Sequence, residues 1–271
     1  MKENIAVIKI NGPITDATAR KLEKPLRMLK KSKNTKALVL RVDSPGGAVT
    51  ACEAIHQQIQ DLPQKVVVSF GNVSASGGYY ISANSERIFA SPTTITGSIG
   101  VIMLRTDLRA LAKQWGVTFD SISTSSLSGS FDPFYPINTK MKDNFANYTD
   151  RSYKHFKEIV SEGRGLSMND VEQIAQGRVW TGTQAKDIGL VDELGGLDRA
   201  VAYCQRNFTE SGQAKVVSWP PKKTIFQALV DSRKKGGDDE DLGDAELPGM
   251  VEFVTGKAIK IQEQGIGKTL M

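Results

Sequence analysis

Cysteine and histidine are the scarcest reactive residues in this sequence, at two each among 271 residues. Cys52 and Cys204 cannot build a disulfide framework, and neither has a second cysteine nearby. Both read as small buried hydrophobes. Long apolar runs are missing too, since nothing approaches the ~20 residues that a membrane-spanning helix requires. The opening MKENIAVIKI has no signal-peptide core and enters strand-like alternation at once, as a mature or excised piece would. What remains is an ordinary globular balance, 39% hydrophobic and 24% charged. The length suits one large domain, or one domain and an appendage.

The net charge is +5 and the isoelectric point about 9.1. A basic balance can mark nucleic-acid binding. Here the lysines of KLEKPLRMLKKSKNTK lie along one amphipathic helix and its exit, which reads as a solvated helix face. No nucleic-acid partner is expected.

Up to about residue 197 strands and helices alternate. Strand patterns fall at 5–10, 37–42, 65–70 and 87–90, with helices at 16–31, after 47 to about 60, and from 76. Such alternation predicts an α/β fold with a largely parallel sheet. A long helix is expected over 140–163 and another over 168–176, with strand character returning at Trp180 and 188–191. After 211 the composition changes. Pro220 and Pro221 break regular structure, and 234–244 (KKGGDDEDLGD) reads as an exposed acidic linker. Its spacing does not match an EF-hand loop, so no metal is expected. The domains read as 1–210 and an extension over 211–271.

Two glycine-rich turns carry the chemistry. The first is Asp43-Ser44-Pro45-Gly46-Gly47 and the second Ser74-Ala75-Ser76-Gly77-Gly78-Tyr79. Each joins a strand to a helix. Glycine lets the backbone bend so that a free N–H points into a cleft, where it can hold a developing oxyanion. A serine at a helix start is often only an N-cap. Two such turns at the carboxyl ends of parallel strands would instead place the Ser76 hydroxyl beside a pair of donors. The base is harder to find. His56 and His155 both fall within helices, so a Ser-His-Asp arrangement has little support. A lysine kept neutral by desolvation is the other option.

The segments LRVDSPGGAVTACEAI, VVVSFGNVSASGGYYIS, ASPTTITGSIGV and GRVWTGTQAKDIGLVDELGG, in that order, resemble the signal peptide peptidase A family of serine-lysine proteases. The details look closest to the carboxy-terminal half of its two-repeat form, found in Gram-negative bacteria and plastids. The resemblance implies a ClpP/crotonase-like fold of repeated β-β-α units and cleavage of extended hydrophobic peptides such as remnant signal peptides, with no cofactor. It implies Ser76 as nucleophile, Gly46 and Gly77 as oxyanion-hole residues, and Ser98 as a hydrogen-bond partner of the general-base lysine. Gly47, Ala48 and Val49, with Ile99, Gly100, Val101 and Ile102, match the walls that bind substrate as an added strand. One departure stands out. In single-repeat members the lysine lies between a strand near 119–122 and the long helix, yet 128–132 has none here. Lys140 and Lys142 come later and read as solvated. The two-repeat form takes its lysine from the amino-terminal half. The partners implied are therefore peptide substrate, further copies of the chain or a lysine-bearing repeat, and a membrane surface at the bacterial periplasmic face or the plastid thylakoid.

Two other readings compete. A crotonase-type acyl-CoA enzyme also uses paired amides, but needs no serine at the second turn. A structural repeat without catalysis would explain the missing lysine, but not the intact serines. Tyr79 and Tyr80 read as packing residues. The aromatic, proline-rich loop 131–137 and the Trp219 region read as exposed apolar surface for substrate, subunit or membrane.

Overall fold

The computed structural model describes residues 3–210 and 212–220. The chain divides into a compact unit, Met1–Lys222, and a second unit, Lys223–Met271. The acidic stretch 234–244 lies outside the described residues.

Strand β1 (Asn4–Asn11) shows why the sheet sits where it does. Ala6, Ile8 and Ile10 enter one core, while Ile5 and Val7 enter another on the opposite face. That is the two-residue period of a strand buried on both sides. Helix α1 (Asp16–Lys30) starts at Thr15, whose side chain forms a capping box with Thr18. It buries Ala19, Leu22, Leu26 and Leu29, one apolar stripe at helical spacing. Its lysines stay at the surface, apart from the stripe.

The chain continues through β2 (Thr35–Ser44), α2 (Val49–Gln60), β3 (Lys65–Ala75) and the one-turn α3 (Gly77–Tyr80). Next come β4 (Arg87–Ala90), β5 (Ile95–Gly97), α4 (Arg109–Gln114), α5 (Thr139–Arg164) and α6 (Met168–Ile174). The unit closes with β6 (Val179–Thr181), α7 (Gly182–Asp187), β7 (Glu193–Leu194), α8 (Leu197–Phe208) and β8 (Lys215–Ser218). The sheet runs β6-β5-β3-β2-β1-β8, with β4 paired to β3 and to β7. Every pairing is parallel except β5 with β6.

Strand β3 forks. Val67–Ser69 pair with Arg87–Phe89 of β4, whereas Val73–Ala75 pair with Ile95–Gly97 of β5. The switch follows an irregularity between Val42 and Ser44 of β2. There the Asp43 carboxylate accepts the Val73 N–H at 3.1 Å, replacing a ladder bond that the irregularity removes.

Three expectations are corrected. Residues 188–191 form no strand; Leu190 and Val191 are apolar because they are buried, and the strand comes later, at β7. No strand forms at 119–122, where Ile122 is fully exposed and no neighbour supplies a ladder. Trp219 is not exposed surface. It packs on the main core, its indole N–H donates to Pro25 O at 2.9 Å, and its backbone N–H donates to Val7 O at 2.8 Å. Strand β8 extends the sheet beside β1.

Leu40, at the centre of β2, is 1% exposed. Leu40→Ala should lower the unfolding free energy by about 2–5 kcal/mol, from lost transfer energy and an unfilled cavity. Urea titration of the two proteins checks this, and an unchanged midpoint would contradict the packing.

Candidate active site

Strands β2, β3 and β5 lie side by side and end at one edge of the sheet. Ser44 pairs with Ser74, and Ala75 with Gly97, so the turns that follow emerge together. The Ser76 N–H donates to Gly97 O at 2.9 Å, and the Ser98 N–H to Arg178 O at 2.7 Å. Both serines are forced to positive φ, 51° at Ser76 and 50° at Ser98. Such a conformation costs a non-glycine residue of order 1–3 kcal/mol and persists only where its surroundings impose it. At Ser76 it makes a sharp strand-to-helix turn that lifts the hydroxyl clear of the ladder. The Ser76 side chain makes no capping bond to α3, so helix capping does not account for it.

The donor groups differ in one respect from expectation. The Gly46 N–H donates to Ser44 Oγ at 3.1 Å, because the serine side chain folds back over its own turn. The N–H groups of Gly47 and Gly77 have no acceptor among the described residues. Gly46 also shapes the turn. Its φ is +100°, and a Cβ there would lie 2.6 Å from Gly77 N and 2.9 Å from Ser76 Cβ. A Cβ on Gly77 would lie 2.3 Å from Cys52 Sγ and 3.1 Å from Gly47 N. Two free N–H groups and a serine hydroxyl thus border one spot, which only glycine backbones can approach.

A small cleft beside this spot is lined by Gly47, Val49, Cys52, Tyr80, Val101 and Phe156, among others. Helix α5 supplies Phe156 and Ser152 from far along the chain. Phe156 belongs to none of the motifs singled out in the sequence, and its place in the cleft follows from how α5 packs.

The expected substrate walls are partly occupied. Ile14 bonds to Gly46 O and to the Ala48 N–H, and Val49 already begins α2. Ile99 is buried and its carbonyl accepts the Gly177 N–H at 2.9 Å. Beyond it, Gly100, Val101 and Ile102 enter a segment with no ladder partner, and Ile102 is 84% exposed.

Among the described residues no base is hydrogen-bonded to the hydroxyl. Neither Ser76 Oγ nor Ser98 Oγ has a hydrogen-bond partner among the described residues. Lys140 and Lys142 are exposed on the first turn of α5. His155 Nε2 stands 3.4 Å from Glu53 Oε2, and His56 is buried edge-on against Tyr80. Burial pushes His56 below the usual imidazole range, more than Glu53 raises it. The Tyr79 hydroxyl donates to Leu190 O at 2.9 Å, and the Tyr80 hydroxyl donates to Glu53 Oε2.

A parallel α/β core with a forked central strand and paired turns at its carboxyl edge defines the ClpP/crotonase-like class. The Clp protease family model matches residues 2–96, and the model of Peptidase family S49 matches 58–209. Protease 4 of Haemophilus influenzae is 33% identical over 92% of this chain and 43% of its own length. Putative protease slr0021 of Synechocystis sp. is 37% identical over 93% of this chain and 90% of its own. The chloroplastic serine protease SPPA of Arabidopsis thaliana is 32% identical over 76% of this chain and 32% of its own. The chain belongs to peptidase family S49, the family of signal peptide peptidase A. It spans less than half the length of Protease 4 and SPPA, and nearly the full length of slr0021. The acyl-CoA reading is not favoured.

Burial pushes the Cys52 thiol up to about 12 and does the same to Cys204. Because the thiolate is the reactive form, both should stay unreactive toward a disulfide reagent at pH 8 in the folded chain. Release of both thiols only after denaturant is added is the expected result, and fast reaction of either without denaturant contradicts it.

Proposed function

We propose that this chain is the hydrolytic domain of a serine endopeptidase that cleaves extended hydrophobic peptides, remnant signal peptides among them. Ser76 is the nucleophile. Its oxygen attacks the scissile carbonyl, and the Gly77 and Gly47 N–H groups hold the oxyanion that forms. Gly46 keeps these donors in place. The cleft lined by Val49, Cys52, Tyr80 and Phe156 takes an apolar side chain, while Gly100, Val101 and Ile102 offer backbone to the peptide as an added strand. The observation that carries the reading is the strained turn at Ser76, set beside two unengaged N–H groups.

The general base is a lysine brought by another repeat, with Ser98 as its hydrogen-bond partner. A free lysine in this role must lose its proton near neutral pH, which burial in an interface would promote. Assembly is supported independently by the segment between β5 and α5. Leu104, Trp115, Ile122 and Phe131 are each at least three-quarters exposed there. Neighbouring subunits would cover them in a ring or dome. In the whole protein the site works at a membrane, where hydrophobic peptide remnants collect. No helix among the described residues is long and apolar enough to cross one.

In the assembled enzyme, Ser76→Ala should abolish cleavage of a fluorogenic hydrophobic peptide without altering the thermal midpoint by more than a few degrees. Full activity in that variant overturns the nucleophile assignment. Gly46→Val should cost ~100- to 1000-fold in kcat by displacing the Gly77 donor. A change confined to KM would mean that the turn only shapes a pocket.

The chain alone should be nearly inactive and gain activity when a lysine-bearing repeat is added. Strong activity alone that Lys140→Ala removes would make the chain self-sufficient and overturn the shared-base reading. Light scattering should report a species larger than a monomer, and a stable monomer at high concentration argues against self-assembly.

A further inference from the structure

The two donor-bearing turns come from different strands and run into different helices. The Gly46-Gly47 turn leads into α2, and the Ser76 turn leads into α3. Helix α3 is a single turn and cannot fix its own direction. Something must therefore set α3 against α2, or the separation of Gly47 N–H from Gly77 N–H would drift.

Glu53 stands one turn into α2, and Tyr80 ends α3. The Tyr80 hydroxyl donates to Glu53 Oε2. Gln57 Nε2 donates to Glu53 Oε1 at 2.6 Å, which fixes the carboxylate along its own helix. His155 of α5 brings Nε2 to 3.4 Å from the same Oε2. The Tyr80 ring packs against Phe156 with centroids 4.9 Å apart, and both residues line the cleft beside Ser76. One half-buried carboxylate thus ties together α2, α3 and α5, the three helices that border the cleft. Burial alone would raise the Glu53 carboxyl. The bonds from Tyr80 and Gln57, with His155 nearby, outweigh it and hold the group below the usual range.

We infer that Glu53 is a positioning residue for the oxyanion hole, acting through Tyr80 to hold the Gly77 N–H at its working distance from the Gly47 N–H. This inference rests on the peptidase reading, because only a shared oxyanion gives that distance a function. Glu53 touches neither substrate nor Ser76. Its effect belongs to the transition state, in which the oxyanion forms, rather than to peptide binding.

The test compares Glu53→Ala, Glu53→Gln and Tyr80→Phe in the full chain, by amide NMR and by kinetics in the lysine-supplemented assembly. Glutamine still accepts the Tyr80 hydroxyl, and phenylalanine removes only that hydroxyl while keeping the ring. Glu53→Ala and Tyr80→Phe should displace the Gly47 and Gly77 amide resonances and leave those of β1 in place. They should lower kcat ~10- to 100-fold, as small misplacements of a catalytic group do, with KM within about twofold. Glu53→Gln should stay near wild type in both readouts. Unmoved glycine amides in Glu53→Ala and Tyr80→Phe overturn the inference, whether or not the chain is a peptidase. A loss in KM with kcat intact also overturns it. Activity that survives Ser76→Ala sinks the assignment of Ser76 as nucleophile instead, and the amide resonances still report whether Glu53 sets the two turns.

Discussion

The structure depends on how β3 divides its hydrogen bonds. A parallel strand must be paired along its whole length when buried, and β3 does this on one side with two successive partners, β4 and then β5. The change of partner brings β5 in late, beside the last residues of β3. Only because β5 arrives there do Gly97 O and the Ser76 N–H meet. The positive φ at Ser76, the direction of its hydroxyl and the nearness of the Ser98 turn all follow from that one switch.

Much of this was legible in the sequence, for reasons that differ by element. Helix α1 and strands β1 to β4 carry strong apolar periods, and burial is what those periods measure. The turns at Gly46 and Ser76 were legible because glycine pairs mark backbone that side chains cannot occupy. Other features were not. Residues 188–191 are as apolar as a strand, but their burial comes from packing around α7, and composition cannot separate the two cases. The Asp43–Val73 bond that steadies the fork joins residues 30 apart and leaves no local pattern. Whether the Gly46 N–H is free or engaged depends on the rotamer of Ser44, which no sequence displays.

Among the described residues the proposed site has its donors but no base beside Ser76, and the two observations have different origins. Donors come from the backbone and are formed as soon as the sheet folds. A base comes from a side chain that must be brought in, and the segment between β5 and α5 leaves several large apolar side chains in water. An interface that covers those side chains would also exclude water from the neighbourhood of Ser76, where electrostatic stabilisation of the oxyanion gains strength. In the proposed serine-lysine site, completion of the fold surface and completion of the chemistry are thus one event, and both rest on the same unburied segment.

The left-handed backbone at Ser76 and Ser98 has an evolutionary side. Main-chain bonds to Gly97 and Arg178 hold both positions, so their shape survives loss of either hydroxyl. Strain, however, penalises any side chain there, and glycine escapes it. A duplicated copy relieved of catalysis gains stability by drifting to glycine at these two positions. Serine at both fits the proposed chemistry, in which each hydroxyl has a use that offsets the strain.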